Sequence, residues 1–396
     1  MYFCKKFTLM RYNKTFLFIF LFLFVPIFSK AVDIKVRVLS EYEVKSVDVK
    51  IVSGSYMMLC NNVKVFVEDL SPNEAITLTF HNNQIRVEKG IEFIGSYNYI
   101  EFIGKKYNNV FSLSSPQIDR KRSYEEDLVL TARNAMFLIN RIDLEKYVAG
   151  VVQSEVFGSS EDVEFFKIQA TASRTYCLAN LNRHLKEGYN LCDAVHCQSY
   201  KGRCKNSDIL RGTFETFSDV IVDSTNKLIS TAYHSNSGGM TEDAKNIWQV
   251  QVPYLRSIVD TFSIGAKNYQ WEKAIPKQQW VRFFVSRYGE KYNTPEMQEI
   301  IFNFKQTERI AKWVIDKDTI PTKNIREYFS LRSSFFSVNM ANDTVYLQGK
   351  GYGHGVGLSQ EGAIKMVKLG YSYIDILRFY YNNVNVVKYT EIIDFQ

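Results

Sequence analysis

Several features are missing from this chain of 396 residues, and each absence narrows what it can be. No segment is low in complexity and no internal repeat is visible, which excludes fibrous and solenoid architectures. A full disulfide framework is missing too. Five cysteines follow residue 31 (Cys60, Cys177, Cys192, Cys197 and Cys204), and an odd number does not pair off completely. The prominent apolar run, Phe16 to Phe28, is too short for a comfortable transmembrane helix. A basic body is lacking as well. The net charge is +7, but residues 1 to 31 hold five basic residues and no acidic one, so the remainder carries only +2. Charge therefore gives no reason to expect nucleic acid as a partner.

What is present begins with a targeting segment. Lys5, Lys6, Arg11 and Lys14 precede the apolar run, and Ser29-Lys30-Ala31 puts small residues at the two positions a signal peptidase reads. Cleavage after Ala31 is expected, and with it a periplasmic or cell-envelope location. An uncleaved membrane anchor is the alternative. With 46% hydrophobic and 15% aromatic residues, the chain has apolar material for one large domain or two of ordinary size.

From Asp33 to about Gln117, short stretches alternate apolar and polar residues, with Asn61-Asn62 and Asn82-Asn83 at the turns. This reads as a small all-β module over residues 32–127, ending in a charged connector from Gln117 to Asp127. Helical and strand patterns then mix. The expected fold class is α+β: a domain of mixed helices and antiparallel strands over residues 128–396, preceded by the β-rich module.

The stretch from Asp143 to His184 organises the chain. Asp143 caps a first helix running to about Val156, where Phe157 and Gly158 stop it. Leu144, Val148, Val151 and Val152 form its apolar stripe, and Glu155 continues that stripe seven residues after Val148. Burial and the negative end of the helix dipole both disfavour a charged carboxylate there. Both effects raise its pKa, which suits a general acid. The plainer alternative is a glutamate at a frayed helix end, reaching into water. Ser159 can cap a second helix, with Asp162 at its third position, running to about His184. Arg174 lies within that helix, so it is exposed, or paired with a carboxylate such as Glu155, or in contact with substrate.

Next comes the order H-x7-C-x3-H-C, formed by His184, Cys192, His196 and Cys197. Two imidazoles and two thiolates are a common tetrahedral set for structural zinc, although the spacing is not that of a zinc finger. A disulfide between two of Cys192, Cys197 and Cys204 is the competing reading. Further on, a polar turn, His234-Ser235-Asn236-Ser237-Gly238-Gly239, follows an apolar strand and suits hydrogen bonding to a polar ligand. Gly349 to Gln360 reads GKGYGHGVGLSQ, with His354 at its centre. It lacks the parallel-sheet context of a dinucleotide fingerprint. Ser359 and Ser372 can each cap a further helix.

Three of these stretches together are recognisable: YVAGVVQSEVFGSSEDVEFFKIQATASRTYCLAN, YHSNSGGMTEDAKNIWQVQVPYLRSIVD and GKGYGHGVGLSQEGAIKMVKLGYSYIDILRFYY. They resemble the stage II sporulation protein D family, which includes amidase-enhancer relatives. The resemblance covers roughly Leu128 to the C-terminus. It implies a peptidoglycan lytic transglycosylase that cleaves peptide-stripped glycan strands between N-acetylmuramic acid and N-acetylglucosamine, leaving anhydro-muramyl ends. Glu155 inherits the catalytic role from VVQSEV. The resemblance also favours zinc on His184, Cys192, His196 and Cys197, with the spacing of His184 departing from the family pattern. Glu361 stands where the family usually has an aromatic residue. Arg174, Ser235, Asn236, His354 and Gln360 are the residues expected to line or shape the glycan groove.

One carboxylate suffices for that chemistry, whereas hydrolysing glycosidases use two. Zinc would then be structural. An N-acetylmuramoyl-L-alanine amidase, which strips the peptides first, is the partner the resemblance implies. Two other readings stay open: a non-catalytic peptidoglycan binder that activates such an amidase, and a hydrolase with a catalytic metal at the His and Cys cluster.

Overall fold

The computed structural model describes residues 32–156, 158–160 and 162–392. The targeting segment and Phe157 lie outside the described residues. Among the described residues, no helix is long and apolar enough to cross a membrane.

The architecture is α+β. A seven-stranded sheet has the order Leu191–Cys192, Asp33–Val38, Met136–Asp143, Asp127–Ala132, Tyr99–Gly104, Tyr56–Cys60, Val63–Lys64. A six-stranded antiparallel sheet has the order Arg122–Glu125, Val110–Ser114, Ser46–Ser53, Ala75–His81, Gln84–Lys89, Glu92–Tyr97. Alternation explains the strands: Asp33–Val38 buries Ile34, Val36 and Val38 and turns Asp33 and Lys35 to solvent. The asparagine pairs do what their chemistry suggests. Asn61 and Asn62 (φ 47° and 66°) and Asn82 and Asn83 (φ 50° and 57°) occupy the left-handed region that tight hairpin turns require.

The division expected at residues 127/128 falls inside the seven-stranded sheet. Asp33–Val38 runs antiparallel to Met136–Asp143, with Ile34 opposite Ile142 and Val38 opposite Leu138, and parallel to Leu191–Cys192. The β-rich first third and the segment after residue 128 thus share a sheet and one core. The charged connector is not a bare linker either, since Arg122–Glu125 pairs with Val110–Ser114. Alternation identifies a strand but not its partner, so a pairing across a hundred residues has no local signature.

Helix α1 (Leu144–Val156) packs its stripe, with Tyr147, into this core. Asp143 caps it, its Oδ1 accepting from the amides of Glu145 and Lys146 at 2.9 and 3.2 Å. Helix α2 (Val163–Ala179) is shorter than the sequence pattern implied. Asp162 itself is the N-cap, accepting from Glu164 N, and Asn180 ends the helix five residues before Leu185. Serine caps do appear at Ser359 for the helix Gln360–Lys368 and at Ser372 for Tyr373–Tyr380.

Residues 270–350 form a second core around Trp280, Phe283, Phe284, Trp313 and Phe336. A three-stranded sheet (Gln270–Pro276, Thr344–Lys350, Phe336–Ala341) carries it, backed by the helix Lys277–Tyr288. The glycine-rich segment leaves that sheet. Gly351, at φ 79°, lies so close to the polar turn that an added Cβ would fall 2.6 Å from Asn236 O.

Candidate active site

The last turn of α1 is laced to the loop Ser199–Lys205 by three consecutive side chains. Gln153 Oε1 accepts from the amides of Lys205 (2.7 Å) and Asn206 (3.2 Å). Ser154 Oγ accepts from Lys201 N at 2.9 Å, and Glu155 Oε1 accepts from Ser199 N at 2.8 Å. Close approach makes this possible. A Cβ on Gly150 would meet the Tyr200 ring at 2.5 Å and Gly202 O at 2.6 Å, so α1 must carry glycine where the loop crosses it.

Glu155 is half-buried, and burial raises its carboxyl above the ordinary range. Hydrogen bonds from Ser199 N and the Tyr233 hydroxyl, and the charge of Lys201, pull the other way without cancelling burial. Its direct partners are neutral donors; among the described residues no arginine or lysine ion-pairs with it. It opens onto a cleft of about 550 Å³ whose walls include Ser235, Asn268, Gln360 and Glu361. Gln360 Nε2 reaches Gln169 Oε1 at 3.3 Å, and Ser235 Oγ accepts from Asn268 Nδ2 at 3.2 Å.

Glu361 is the residue that sequence reasoning missed as a member of the site. The departure from an aromatic residue was its only signal. Its carboxylate accepts from Asn268 Nδ2 (2.6 Å), Asn268 N (3.1 Å) and Asn236 Nδ2 (2.7 Å). Three donors fix it in the cleft wall.

Three of the expected groove residues stand elsewhere or act indirectly. Arg174 is fully buried, and its guanidinium makes a bidentate pair with Glu145 at 2.8 and 2.5 Å. It also donates to Asp219 O at 3.0 Å and Thr213 O at 3.3 Å, so it ties α1 and α2 to the helix Ser207–Glu215 and the strand Asp219–Val222, away from the cleft. Asn236 is fully buried too, and it serves by holding Glu361 and Ser263 O. His354 does not line the cleft. Its ring lies 5.5 Å from that of His234 and 5.6 Å from that of Trp248, and its Nδ1 accepts from Val356 N at 3.0 Å. Burial, helped by Arg326 and Arg309, pushes its pKa down to about 4.

His184, Cys192, His196 and Cys197 converge, with one ligand atom from each within 4.8 Å of all the others. Cys197 Sγ lies 3.6 Å from His184 Nε2 and 3.7 Å from His196 Nδ1; Cys192 Sγ lies 3.8 Å from His196 Nδ1. Tetrahedral zinc, with bonds of about 2.3 Å to sulfur and 2.0–2.1 Å to nitrogen, needs sulfur–nitrogen separations near these. The other nitrogen of His184 meets Glu187 Oε1 at 2.7 Å, the second contact that metal-bound histidines usually make. All five cysteines of the described residues are free thiols, and Cys204 Sγ instead faces Asn206 O. The cluster ends at Cys197, two residues before the amide that grips Glu155.

The Stage II sporulation protein family matches residues 132–231. Over 278 residues the chain is 30% identical to stage II sporulation protein D of Bacillus amyloliquefaciens, covering 64% of this chain and 77% of that one. The counterpart from Bacillus subtilis (strain 168) is 29% identical over 274 residues, with the same coverage. An amidase enhancer of Bacillus subtilis is 26% identical over 295 residues, which are 61% of this chain but 40% of that longer protein. The chain belongs to the stage II sporulation protein D family.

Proposed function

We propose that this protein is a lytic transglycosylase of peptidoglycan, with Glu155 as its acid and base. One observation carries the reading: a half-buried carboxyl with a raised pKa, partnered by neutral donors, opens onto a cleft large enough for sugar. Protonated Glu155 donates to the glycosidic oxygen between N-acetylmuramic acid and N-acetylglucosamine, and that bond breaks. The primary hydroxyl of the muramyl sugar attacks its own anomeric carbon, and Glu155 takes the hydroxyl proton back. The product is an anhydro-muramyl end, and no water is consumed. Glu361 favours this route over hydrolysis, because a carboxylate already accepting three hydrogen bonds is poorly placed to activate a water.

In the same reading His184, Cys192, His196 and Cys197 hold a structural zinc. Four protein ligands close the coordination sphere, so the ion contributes rigidity to the loop bearing Ser199. Metal analysis of the purified protein is expected to give about one zinc per chain, and chelation to lower both the melting temperature and the cleavage rate. A metal-free protein with unchanged melting would remove zinc from the account.

The test of the enzyme is mass spectrometry of peptide-stripped glycan strands incubated with wild type and with Glu155→Gln. Anhydro-muramyl ends from wild type alone are the expected result. Reducing ends without the anhydro sugar would make it a hydrolase.

The amidase-enhancer relative supports a second reading, in which the protein binds stripped glycan and activates a partner N-acetylmuramoyl-L-alanine amidase without cleaving. Glu155→Gln would then leave amidase activation intact. Either reading places the protein outside the cytoplasm, with a role in cell-wall remodelling such as sporulation.

A further inference from the structure

A second cleft, of about 530 Å³, opens on the other side of the α1 terminus. Its walls are Tyr42, the segment Asp119–Ser123, Gln153 and Ser154 of α1, and Lys201, Arg203 and Lys205 of the loop. Six cations line it, Arg120, Lys121, Arg122, Lys201, Arg203 and Lys205, against the single acid Asp119. A body whose net charge is only +2 beyond residue 31 has gathered them in one place. Two are matched by acids: Arg122 pairs with Asp193 at 3.1 Å and Lys201 with Glu41 at 3.4 Å. Arg120, Lys121, Arg203 and Lys205 form no ion pair among the described residues. Glu125 lies near enough to feel the charge of Arg203 without bonding to it. Arg203 Nε is moreover buried without a hydrogen-bond partner.

Neighbouring residues line this cleft and the Glu155 cleft. On the helix, Ser154 faces one and Glu155 the other. On the loop, Lys201 lines the cationic cleft, and two residues earlier Ser199 grips Glu155. A polymer seated across the end of α1 would reach both the cations and the acid. Peptidoglycan offers a matching anion. Each N-acetylmuramic acid bears a lactyl group whose carboxyl is an amide while the stem peptide is attached and a free carboxylate once it is removed. Guanidinium and ammonium groups bind such a carboxylate through charge-assisted hydrogen bonds, which an amide cannot supply.

We propose that the cationic cleft formed by Arg120, Lys121, Arg203 and Lys205 is a carboxylate subsite of the glycan groove, and that it binds the free lactyl carboxylates of the strand. The assignment rests on the glycan-cleaving reading of Glu155.

The test measures binding in the Glu155→Gln background, so that strands are not consumed. Two ligands are compared: peptide-stripped strands, and the same strands with every lactyl carboxyl converted to its methylamide. The carboxylate form is expected to bind about tenfold more tightly at low salt, the preference shrinking as salt rises. Adding Arg120→Gln, Lys121→Gln and Lys205→Gln, all at exposed positions, should abolish the preference while leaving methylamide binding unchanged. The charge-keeping set Arg120→Lys, Lys121→Arg and Lys205→Arg should retain it. Equal binding of both ligands, or a preference that survives the glutamine set, overturns the assignment. So does displacement of the glycan by phosphatidylglycerol vesicles that bind through the same cations, which would give the cleft to a membrane surface. Wild-type turnover separates this from the enzyme reading. Anhydro ends formed equally fast from both ligands sink the cleft and keep the enzyme; carboxylate-dependent binding without anhydro ends does the reverse.

Discussion

Helices α1 and α2 each carry a charged residue inward, and the molecule treats the two in opposite ways. Arg174 of α2 is wholly buried and fully satisfied, with a bidentate Glu145 and two carbonyl oxygens. Glu155 of α1 is half-buried, has neutral donors for partners and faces an open cleft. A buried charge with every bond made fixes elements in place, and its proton is not available for exchange. A carboxyl that burial has raised, with room for a substrate beside it, can exchange a proton near neutral pH. The contrast predicts that one residue can be removed with loss of chemistry alone and the other with loss of the fold.

The largest effect expected is on turnover. Glu155→Gln keeps the shape and the contacts to Ser199 and Tyr233 but cannot cycle a proton. Cleavage should fall by roughly a thousandfold, within the range seen for general acids. Its melting temperature should hold or rise, because the substitution removes a carboxylate that the site disfavours. A melting scan beside the product assay checks both halves. A Glu155→Gln protein that melts far below wild type would erase the contrast with Arg174.

Arg174→Ala should show the reverse. It leaves the largely covered Glu145 carboxylate without its counterion, which costs about 3 kcal/mol. Denaturant unfolding would measure it, and any cleavage lost should return in proportion to the folded fraction. The double change Glu145→Leu with Arg174→Met sharpens the point. It removes both charges together and should cost less than Arg174→Ala alone. Equal costs would mean that the carbonyl bonds to Thr213 and Asp219, rather than the ion pair, hold the elements.

Which parts of this were legible in the sequence follows from the range of the interactions. Asp143 caps the two residues beside it, the asparagine pairs turn within four residues, and Glu155 lies on a helical repeat, so all three could be read locally. The His184–Cys197 cluster spans fourteen residues, and its donor chemistry announces itself. Arg174 was misread because Glu145, 29 residues earlier, and Thr213 and Asp219, 39 and 45 later, have no local signature. The grip on Glu361 by Asn268, 93 residues away, was hidden for the same reason. So was the pairing of Asp33–Val38 with Met136–Asp143, which joins the supposed module to the rest.

Acid extends the comparison to a third region and reverses its sign. Above its ordinary range, Glu155 holds its proton longer folded than unfolded, so acidification through that window favours the folded state at the cleft. Turnover should accordingly decline on the alkaline side as the acid form is lost. The histidine pair behaves the other way. His354 is lowered from 6.5 to about 4 by burial and by Arg326 and Arg309, and His234 is also held well below its ordinary value by burial and by His354. Between those two values the unfolded chain takes up a proton that the folded chain refuses. Stability conferred by the neutral ring is therefore complete above pH 6.5 and drains away as pH falls toward 4. For His354 alone the loss is on the order of 3 kcal/mol. Unfolding followed from pH 7 to pH 4 should show a net decline, and His354→Gln should flatten it while leaving the alkaline fall in turnover where it was. A decline unchanged by His354→Gln would move the acid sensitivity to His234, whose Nε2 is buried without a partner.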